Sequence, residues 1–483
     1  MDRNVFYDLF SSIKKVDFEN LNLLLEKFNV GEIQCDENSS VLNCAIKVGN
    51  IEILRILLKN GGNTNEEDKN NLRPLHLAIK NNNIDIVKLL LEYNTEVNAK
   101  NSCDEYPIHI AAQGNNTDIV KILLDYGANV NVEDISKLQP IHYAIENGNE
   151  VILQLLCENG ADINARTNWG KYPIHIAAQN NELNMVRTLI KHKADVNAVD
   201  NFRGRPIHYA IRGNHTDMLR LLIERGANVN VENYRGRTPL HLAILTGQID
   251  SVKILIDNGV NINAKDHLKV CPIHLAVEHN QIKLVELLIK NGADIHVKDQ
   301  AGKEPIHLAT HSYKMNVIKL LIDHGANVNA KDNYDSRPLH YASLNNQNID
   351  IIKLLIEHGA DINVKNNSNE CPLLYAIYGN NIDLIKYFIV NGADINLDNI
   401  IIHECLNKDA FDIVLLLVYA GLHFNHIEIP IDSNFNTKLQ QITFLKSNSL
   451  SLQHLCRITY KNIFGGSTYC KHMMDKSISL LKE

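Results

Sequence analysis

Histidine is the residue type in this sequence best suited to chemistry, because a neutral imidazole binds metal ions and exchanges protons near neutral pH. The chain has 483 residues and 22 histidines. Nine of these follow Pro-Leu or Pro-Ile, in a motif that returns at a constant interval, at His76, His109, His142, His175, His208, His241, His274, His307 and His340. If each motif begins one helical unit, successive imidazoles lie roughly 10 Å apart. Metal–ligand bonds are only about 2 Å long, so the spacing favours a structural role over a metal site.

A second group of possible metal ligands lies near the C-terminus, where His454, Cys456, Cys470 and His472 occur. Their spacing does not match a zinc motif. The nine cysteines of the chain are scattered and free of C-x-x-C spacing, which indicates unpaired thiols in a reducing compartment. No phosphate-binding glycine loop, G-x-S-x-G elbow or H-E-x-x-H motif occurs. We therefore expect no enzyme activity, no cofactor and no bound metal.

The overall charge and hydropathy narrow the choice of partners. The formal net charge is −8, so no bulk basic character argues for nucleic acid. The longest apolar stretch, Ile413–Gly421, is far too short to span a bilayer. No signal peptide is evident at the N-terminus. We expect protein partners, with no nucleic acid and no membrane.

The periodic unit is best seen in the segment 107–131. Pro107 suits the first turn of a helix, where its missing N–H costs nothing. Ala111 and Ala112 give that helix a narrow face that a neighbouring unit can approach closely. A second segment with apolar residues at helical spacing follows, and Gly127 ends it in the left-handed conformation that glycine adopts freely. Each period therefore predicts two antiparallel helices and an extended connection.

This pattern closely resembles the ankyrin repeat, with matches such as Pro239–Ala243 and Gly325–Asn329. The resemblance implies an all-α ankyrin-repeat solenoid of helix–turn–helix units with hairpin-like fingers. It covers about residues 38–397. We expect residues 1–37 to form a degenerate capping repeat and residues 398–427 a degenerate last one. The resemblance also implies that each motif histidine is hydrogen bonded to the adjoining turn.

The sequence departs from the family at helix ends. The family has threonine before the proline as a helix cap, and here only Thr238 follows that rule. The residues that replace it elsewhere are Arg73, Tyr106, Gln139, Tyr172, Arg205, Cys271, Glu304 and Arg337. A lost cap costs about 0.5–2 kcal/mol, which predicts a softer array. Asn94 and Lys193 replace the helix-ending glycine, and lysine loses about 1–2 kcal/mol in a left-handed conformation. One extra residue falls near Asn345–Gln347.

Three consecutive fingers differ from the others because aromatic residues alternate with cations. They contain the only tryptophan of the chain. Aromatic and arginine residues are enriched at binding hot spots, so these fingers could form a protein-contact surface. Ordinary packing between exposed loops is the plain alternative, and nucleic acid is a third. The candidate target-binding residues are Arg166, Trp169, Lys171, Tyr172, Phe202, Arg203, Arg205, Tyr234, Arg235 and Arg237.

The regular period stops near Asn425, and residues 428–483 read as a small C-terminal helical module. The stretch Leu452–Arg457, followed by Ile463, is similar to the C-terminal motif of poxvirus ankyrin proteins, a PRANC or F-box-like domain. A proline frequent ahead of that motif is absent. The resemblance implies docking on the adaptor subunit of a cullin–RING ubiquitin ligase. The candidate contacts are Leu452, Leu455, Cys456, Arg457, Ile458 and Ile463. The plain alternative is a helical cap on the last repeat.

The sequence thus predicts an interaction adaptor of viral origin. Its repeats would recruit a host target, and its F-box-like end would recruit a host ubiquitin ligase, so that the two are held together. The alternative is an ankyrin scaffold that sequesters a host factor without any ligase. Both predictions place the protein in the host cytoplasm, with the nucleus as the second location.

Overall fold

The computed structural model describes residues 3–28, 30, 41–67, 72–344 and 349–395, together with 413, 416 and 417. Within these residues the secondary structure consists of 24 helices without a strand. The all-α prediction is confirmed. The chain divides into two compact units, Met1–His267 and Leu268–Glu483. No helix among the described residues is long and apolar enough to cross a membrane.

The helices come in pairs joined by short turns. The first helices of the pairs are α1 (Arg3–Lys15), α3 (Val41–Val48), α5 (Pro74–Lys80), α7 (Pro107–Gln113), α9 (Pro140–Glu146), α11 (Pro173–Gln179), α13 (Pro206–Arg212), α15 (Pro239–Leu245), α17 (Pro272–Glu278), α19 (Pro305–His311), α21 (Pro338–Ser343) and α23 (Pro372–Tyr378). The second helices are α2 (Phe18–Leu25), α4 (Ile51–Lys59), α6 (Ile84–Glu92), α8 (Thr117–Asp125), α10 (Glu150–Glu158), α12 (Leu183–Lys191), α14 (Thr216–Glu224), α16 (Ile249–Asp257), α18 (Ile282–Lys290), α20 (Met315–Asp323), α22 (Ile349–Glu357) and α24 (Ile382–Val390).

Each first helix packs on its own second helix and on the first helix of the neighbouring pair. In the first unit, for example, α11 packs on α12, α9 and α13; in the second unit, α19 packs on α20, α17 and α21. The alanines allow this approach, since Ala111 and Ala112 of α7 are completely buried. On α8, Ile119, Val120 and Leu123 are also completely buried, and each such side chain contributes roughly 1.5–3 kcal/mol. Within each unit the core is therefore an apolar layer that successive pairs extend.

The motif histidine makes a hydrogen bond at the start of the first helix, where the residue before the proline makes no side-chain cap, as the sequence predicts. The backbone N–H of Tyr106, the residue before Pro107, donates to Nδ1 of His109 at 3.0 Å. Arg73 donates to His76 in the same way at 3.2 Å. This hydrogen bond uses only the backbone of the residue before the proline, so it survives when that residue is not threonine. The histidine accepts from the N–H of the residue before the proline, whereas a capping threonine accepts from an N–H in the first turn of the helix. The softer array therefore stays a prediction.

The left-handed residues that end the second helices are as predicted. Asn94 has a φ of 56° and Lys193 a φ of 71°. Gly127 occupies the equivalent position with a φ of 83°. A lysine in this conformation brings its Cβ close to the following carbonyl oxygen. Lys193 is therefore a strained position in an otherwise regular repeat.

Several predictions fall wholly or mostly outside the described residues. The extra residue near Asn345–Gln347 lies there, as do the C-terminal module and its candidate ligase contacts. Of the predicted last repeat, 398–427, only Ile413, Leu416 and Leu417 are described, and all three are buried. Helices α1 and α2 lie within the predicted capping repeat 1–37. Five cysteines lie among the described residues, and each is a free thiol: Cys44, Cys103, Cys157, Cys271 and Cys371.

Candidate functional site

Three exposed aromatic rings on successive fingers form a continuous row, which we call the aromatic row: Trp169, Phe202 and Tyr234. Their exposed fractions are 64%, 46% and 47%. The Trp169 and Phe202 rings stack with centroids 6.1 Å apart. The Phe202 and Tyr234 rings meet edge to face at 6.2 Å. Rings at such distances attract each other, so the row is an ordered apolar surface open to solvent.

The backbone of the fingers sets the spacing of this row. The N–H of Asn201 donates to the carbonyl oxygen of Trp169 at 3.3 Å, and the N–H of Tyr234 donates to that of Phe202 at 3.1 Å. Each finger is itself closed by a side chain: Oδ1 of Asp200 accepts from the N–H of Phe202 at 2.8 Å and of Gly204 at 2.6 Å. The fingers are hairpin-like, as predicted, and they hold successive rings in register.

Exposed arginines flank the row. Arg166, Arg203 and Arg235 are exposed. The guanidinium of Arg235 lies 5.2 Å from the centroid of the Tyr234 ring, a cation–π distance. Nη2 of Arg166 donates to Oδ1 of Asn201 at 3.0 Å. With the aromatic row, six of the ten predicted residues therefore share one exposed surface.

The other four predicted residues are half-buried, and three of them have packing contacts. Nη1 of Arg205 donates to the carbonyl oxygen of Asn197 at 2.6 Å. Nε of Arg237 lies 3.4 Å from Oδ2 of the buried Asp266. For these two arginines the structure shows the packing contacts that the plain alternative describes. The ring of Tyr172 lies 5.6 Å, between centroids, from the ring of His175, and the guanidinium of Arg166 lies 5.2 Å from its centroid. Lys171 faces a groove beside the row.

This groove, of about 560 Å³, opens between the fingers and the first helices α11 and α13. Its lining includes Trp169, Lys171, Phe202, Tyr209 and Arg212. Nζ of Lys171 lies 4.7 Å from the centroid of the Tyr209 ring, and the Arg212 guanidinium lies 5.9 Å from it. Sequence reasoning missed Tyr209 and Arg212, since it compared the fingers alone. The signal was available, because Tyr209 follows the motif histidine directly and Arg212 ends the same helix.

A buried carboxylate fixes the tyrosine at the floor of the groove. The hydroxyl of Tyr209 donates to Oδ2 of Asp200. Burial and this hydrogen bond raise the pKa of Tyr209 above its ordinary value. Burial also lowers the pKa of Lys171, an effect that Asp200 opposes and Arg212 reinforces. The groove thus has a neutral aromatic floor and two cations at its wall.

The motif histidines use both ring nitrogens for structure. Nδ1 accepts from the residue before the proline, and in most of them Nε2 contacts a carbonyl oxygen of the following finger, as in His109–Val132 at 3.0 Å and His307–Ala330 at 3.0 Å. Nε2 of His208 is the exception, since it is buried without a hydrogen-bond partner. The hydrogen bonding implied by the family resemblance is confirmed. Burial lowers the pKa of His76, His142, His175 and His208 from 6.5 to about 4. These imidazoles are therefore neutral near pH 7.

Metal ligands do not cluster in the part of the chain that the structure describes: no group of three or more His, Cys, Asp or Glu residues there could hold a metal ion. The C-terminal group His454, Cys456, Cys470 and His472 lies outside that part. The described site consists of aromatic rings and cations on an exposed surface.

A family model described as ankyrin repeats (3 copies) matches residues 9–101, 95–167, 174–266, 273–366 and 346–428. No curated protein matches the chain. The matched ranges include Phe202 and Tyr234 of the aromatic row, all of α13 and all of α11 except Pro173, whereas Trp169 lies between two of them.

Proposed function

Because the chain belongs to the ankyrin-repeat family, we propose that it is a protein–protein interaction adaptor whose target binds at the aromatic row. The fold is typical of non-enzymatic binding scaffolds. The observation that carries the proposal is the exposure of three adjoining rings, Trp169, Phe202 and Tyr234. Contiguous apolar surface of this kind on a soluble chain marks an interaction site.

The physical chemistry of the row supports a protein target. Tryptophan, tyrosine and arginine dominate the binding energy of protein interfaces, and here Arg235 lies against Tyr234 within the same surface. The rings are already held by contacts with one another and by the finger backbone. Binding therefore costs little side-chain entropy.

The finer part of the proposal is that the adaptor acts for a virus and joins a host protein to a cullin-type ubiquitin ligase. Its support is the likeness of Leu452–Arg457 and Ile463 to the poxvirus PRANC motif. A short amphipathic helical segment presenting Leu452, Leu455 and Ile463 would fit an apolar groove on the ligase adaptor. Joining target and ligase raises the local concentration of one near the other. The proposed location is the host cytoplasm, with the nucleus second.

Affinity capture from host cells tests both the proposed target-binding surface and the proposed ligase-binding segment, with three full-length proteins as bait. We expect the wild type to recover a target and the ligase adaptor. A Trp169→Ala/Arg235→Ala variant should lose the target alone, and a Leu455→Ala/Arg457→Ala variant should lose the ligase adaptor alone. Recovery of the target by wild type without any ligase adaptor would favour the sequestering scaffold instead. Equal recovery of the target by all three proteins would refute the aromatic row as its binding site.

A further inference from the structure

Two cations, Lys171 and Arg212, line the groove beside the aromatic row, and their contacts within the groove are with neutral groups. Nζ of Lys171 donates to the neutral amide oxygen of Gln179 at 2.8 Å, and Arg212 lies over the ring of Tyr209. The Asp200 carboxylate, which acts on Lys171 electrostatically, accepts hydrogen bonds from Tyr209 and from the finger backbone. Within the described residues, the lining of the groove contains no carboxylate.

The same scaffold occurs two repeats earlier with the opposite charge. There the ring of His109 lies between Tyr106 and Tyr143, with centroids 5.7 Å apart on both sides. The hydroxyl of Tyr143 donates to Asp134 at 2.6 Å, as that of Tyr209 donates to Asp200. At the positions of Lys171 and Arg212, however, the sequence has glutamates.

These glutamates, Glu105 and Glu146, show that the scaffold does not require cations at either position. Helix α9, which ends at Glu146, is as regular as helix α13, which ends at Arg212. A pair of charges that the fold does not need is available for recognition. Opposite charge across an interface selects partners and sets the binding register.

We propose that the groove binds an acidic segment of a partner protein, with a carboxylate between Lys171 and Arg212 and a neighbouring apolar side chain against Trp169 and Phe202. The assignment rests on the proposed function, because it takes a protein to be the ligand of the repeats. It adds that the protein segment bound there is acidic and has a neighbouring apolar side chain. Arginine and lysine both bind carboxylates with charge-assisted hydrogen bonds.

A polyanion such as nucleic acid fits this place less well. Binding of a nucleic acid strand depends on a track of cations along successive phosphates. Here Glu146 lies close enough to Lys171 to act on its charge, so the cationic groove adjoins an acidic neighbour on the side of α9. A single carboxylate flanked by an apolar residue suits that arrangement, and a run of phosphates does not.

A peptide selection tests the assignment with the full chain. Random dodecapeptides displayed on phage are selected against the wild type, a Lys171→Glu/Arg212→Glu variant and a Lys303→Glu control. Lys303 makes the same contact as Lys171, with Nζ 4.7 Å from the Tyr341 ring centroid, but Ala301 stands where Trp169 would be. The double variant copies glutamates that the chain itself carries two repeats earlier, and circular dichroism confirms its folding.

The expected result is enrichment of peptides with Asp or Glu next to an aromatic or large aliphatic residue. Their affinity should fall by about tenfold or more in the double variant and stay unchanged in the Lys303→Glu control. Loss of target capture in Trp169→Ala/Arg235→Ala, without any acidic preference among selected peptides, would leave the adaptor function standing and overturn this assignment. So would failure to enrich any peptide, or tight binding of oligothymidylate that the double variant abolishes.

Discussion

Nε2 of His76 lies 3.1 Å from the carbonyl oxygen of Ala99, 23 residues further along the chain. Because Nδ1 of the same ring accepts from the backbone N–H of Arg73, the ring must be neutral, with its proton on Nε2. One imidazole thereby closes the start of its own helix and connects it to the next finger. Protonating Nδ1 would break the first of these hydrogen bonds.

Acid should therefore destabilise the array in a defined window. Burial lowers the pKa of four motif histidines from 6.5 to about 4 in the folded chain, so below about pH 6.5 the unfolded chain binds more protons than the folded one. Stability is fully present above this pH and falls as the pH drops toward 4, by up to about 3 kcal/mol for each histidine.

Urea unfolding at a series of pH values measures this loss. The dependence of the unfolding free energy on pH gives the number of protons taken up, and we expect at least two between about pH 6 and pH 5. A flat profile over that interval would show that the buried imidazoles do not titrate with unfolding.

The aromatic row should contribute to binding and very little to stability. Replacing Trp169 and Arg235 by alanine removes groups that are exposed, so we expect a loss of at least about 2 kcal/mol in target affinity and a nearly unchanged melting temperature. Calorimetric titration and thermal unfolding measure the two quantities. Tyr334→Ala is the matched control, since that ring is also 64% exposed and lies outside the row. A fall in target affinity accompanied by a marked fall in melting temperature would mean that the row contributes to packing rather than to binding.

Releasing the strain at Lys193 should stabilise the protein. Lys193 has a φ of 71° where most other repeats have glycine, so Lys193→Gly is expected to raise the unfolding free energy by about 1 kcal/mol. Arg187→Gly, at an exposed position in the middle of α12, should lower it by about 0.5–1 kcal/mol. Chemical unfolding measures both. If the two variants shift stability in the same direction, the strain argument is wrong.

The N-caps of the second helices offer a matched pair two repeats apart. Oδ1 of Asn116 accepts from the N–H of Ile119 at 2.9 Å at the start of α8, whereas Glu182 makes no such hydrogen bond at the start of α12. Asn116→Ala should cost about 1 kcal/mol, and Glu182→Asn should gain a similar amount. Glu182→Ala is the control and should be close to neutral. Urea unfolding measures the change in unfolding free energy for each variant. No change for Asn116→Ala would contradict the capping role of Asn116.

Much of the fold could be predicted from sequence because its rules are local. The proline that starts α7, the paired alanines behind it and Gly127 each fix a conformation within a few residues. The groove could not be predicted in that way. Tyr209 and Arg212 meet Lys171 only because α13 packs beside α11, and that contact joins residues of two repeats.

The ladder of backbone hydrogen bonds between fingers has a consequence for evolution. It joins main-chain atoms, so it persists whichever side chains occupy the tips. The chain itself provides an example, with glutamate or a cation at equivalent positions of two repeats on one scaffold. Duplication of a repeat followed by a few point mutations can therefore create a new specificity while stability is inherited intact. Selection by a changing partner can act on one finger at a time.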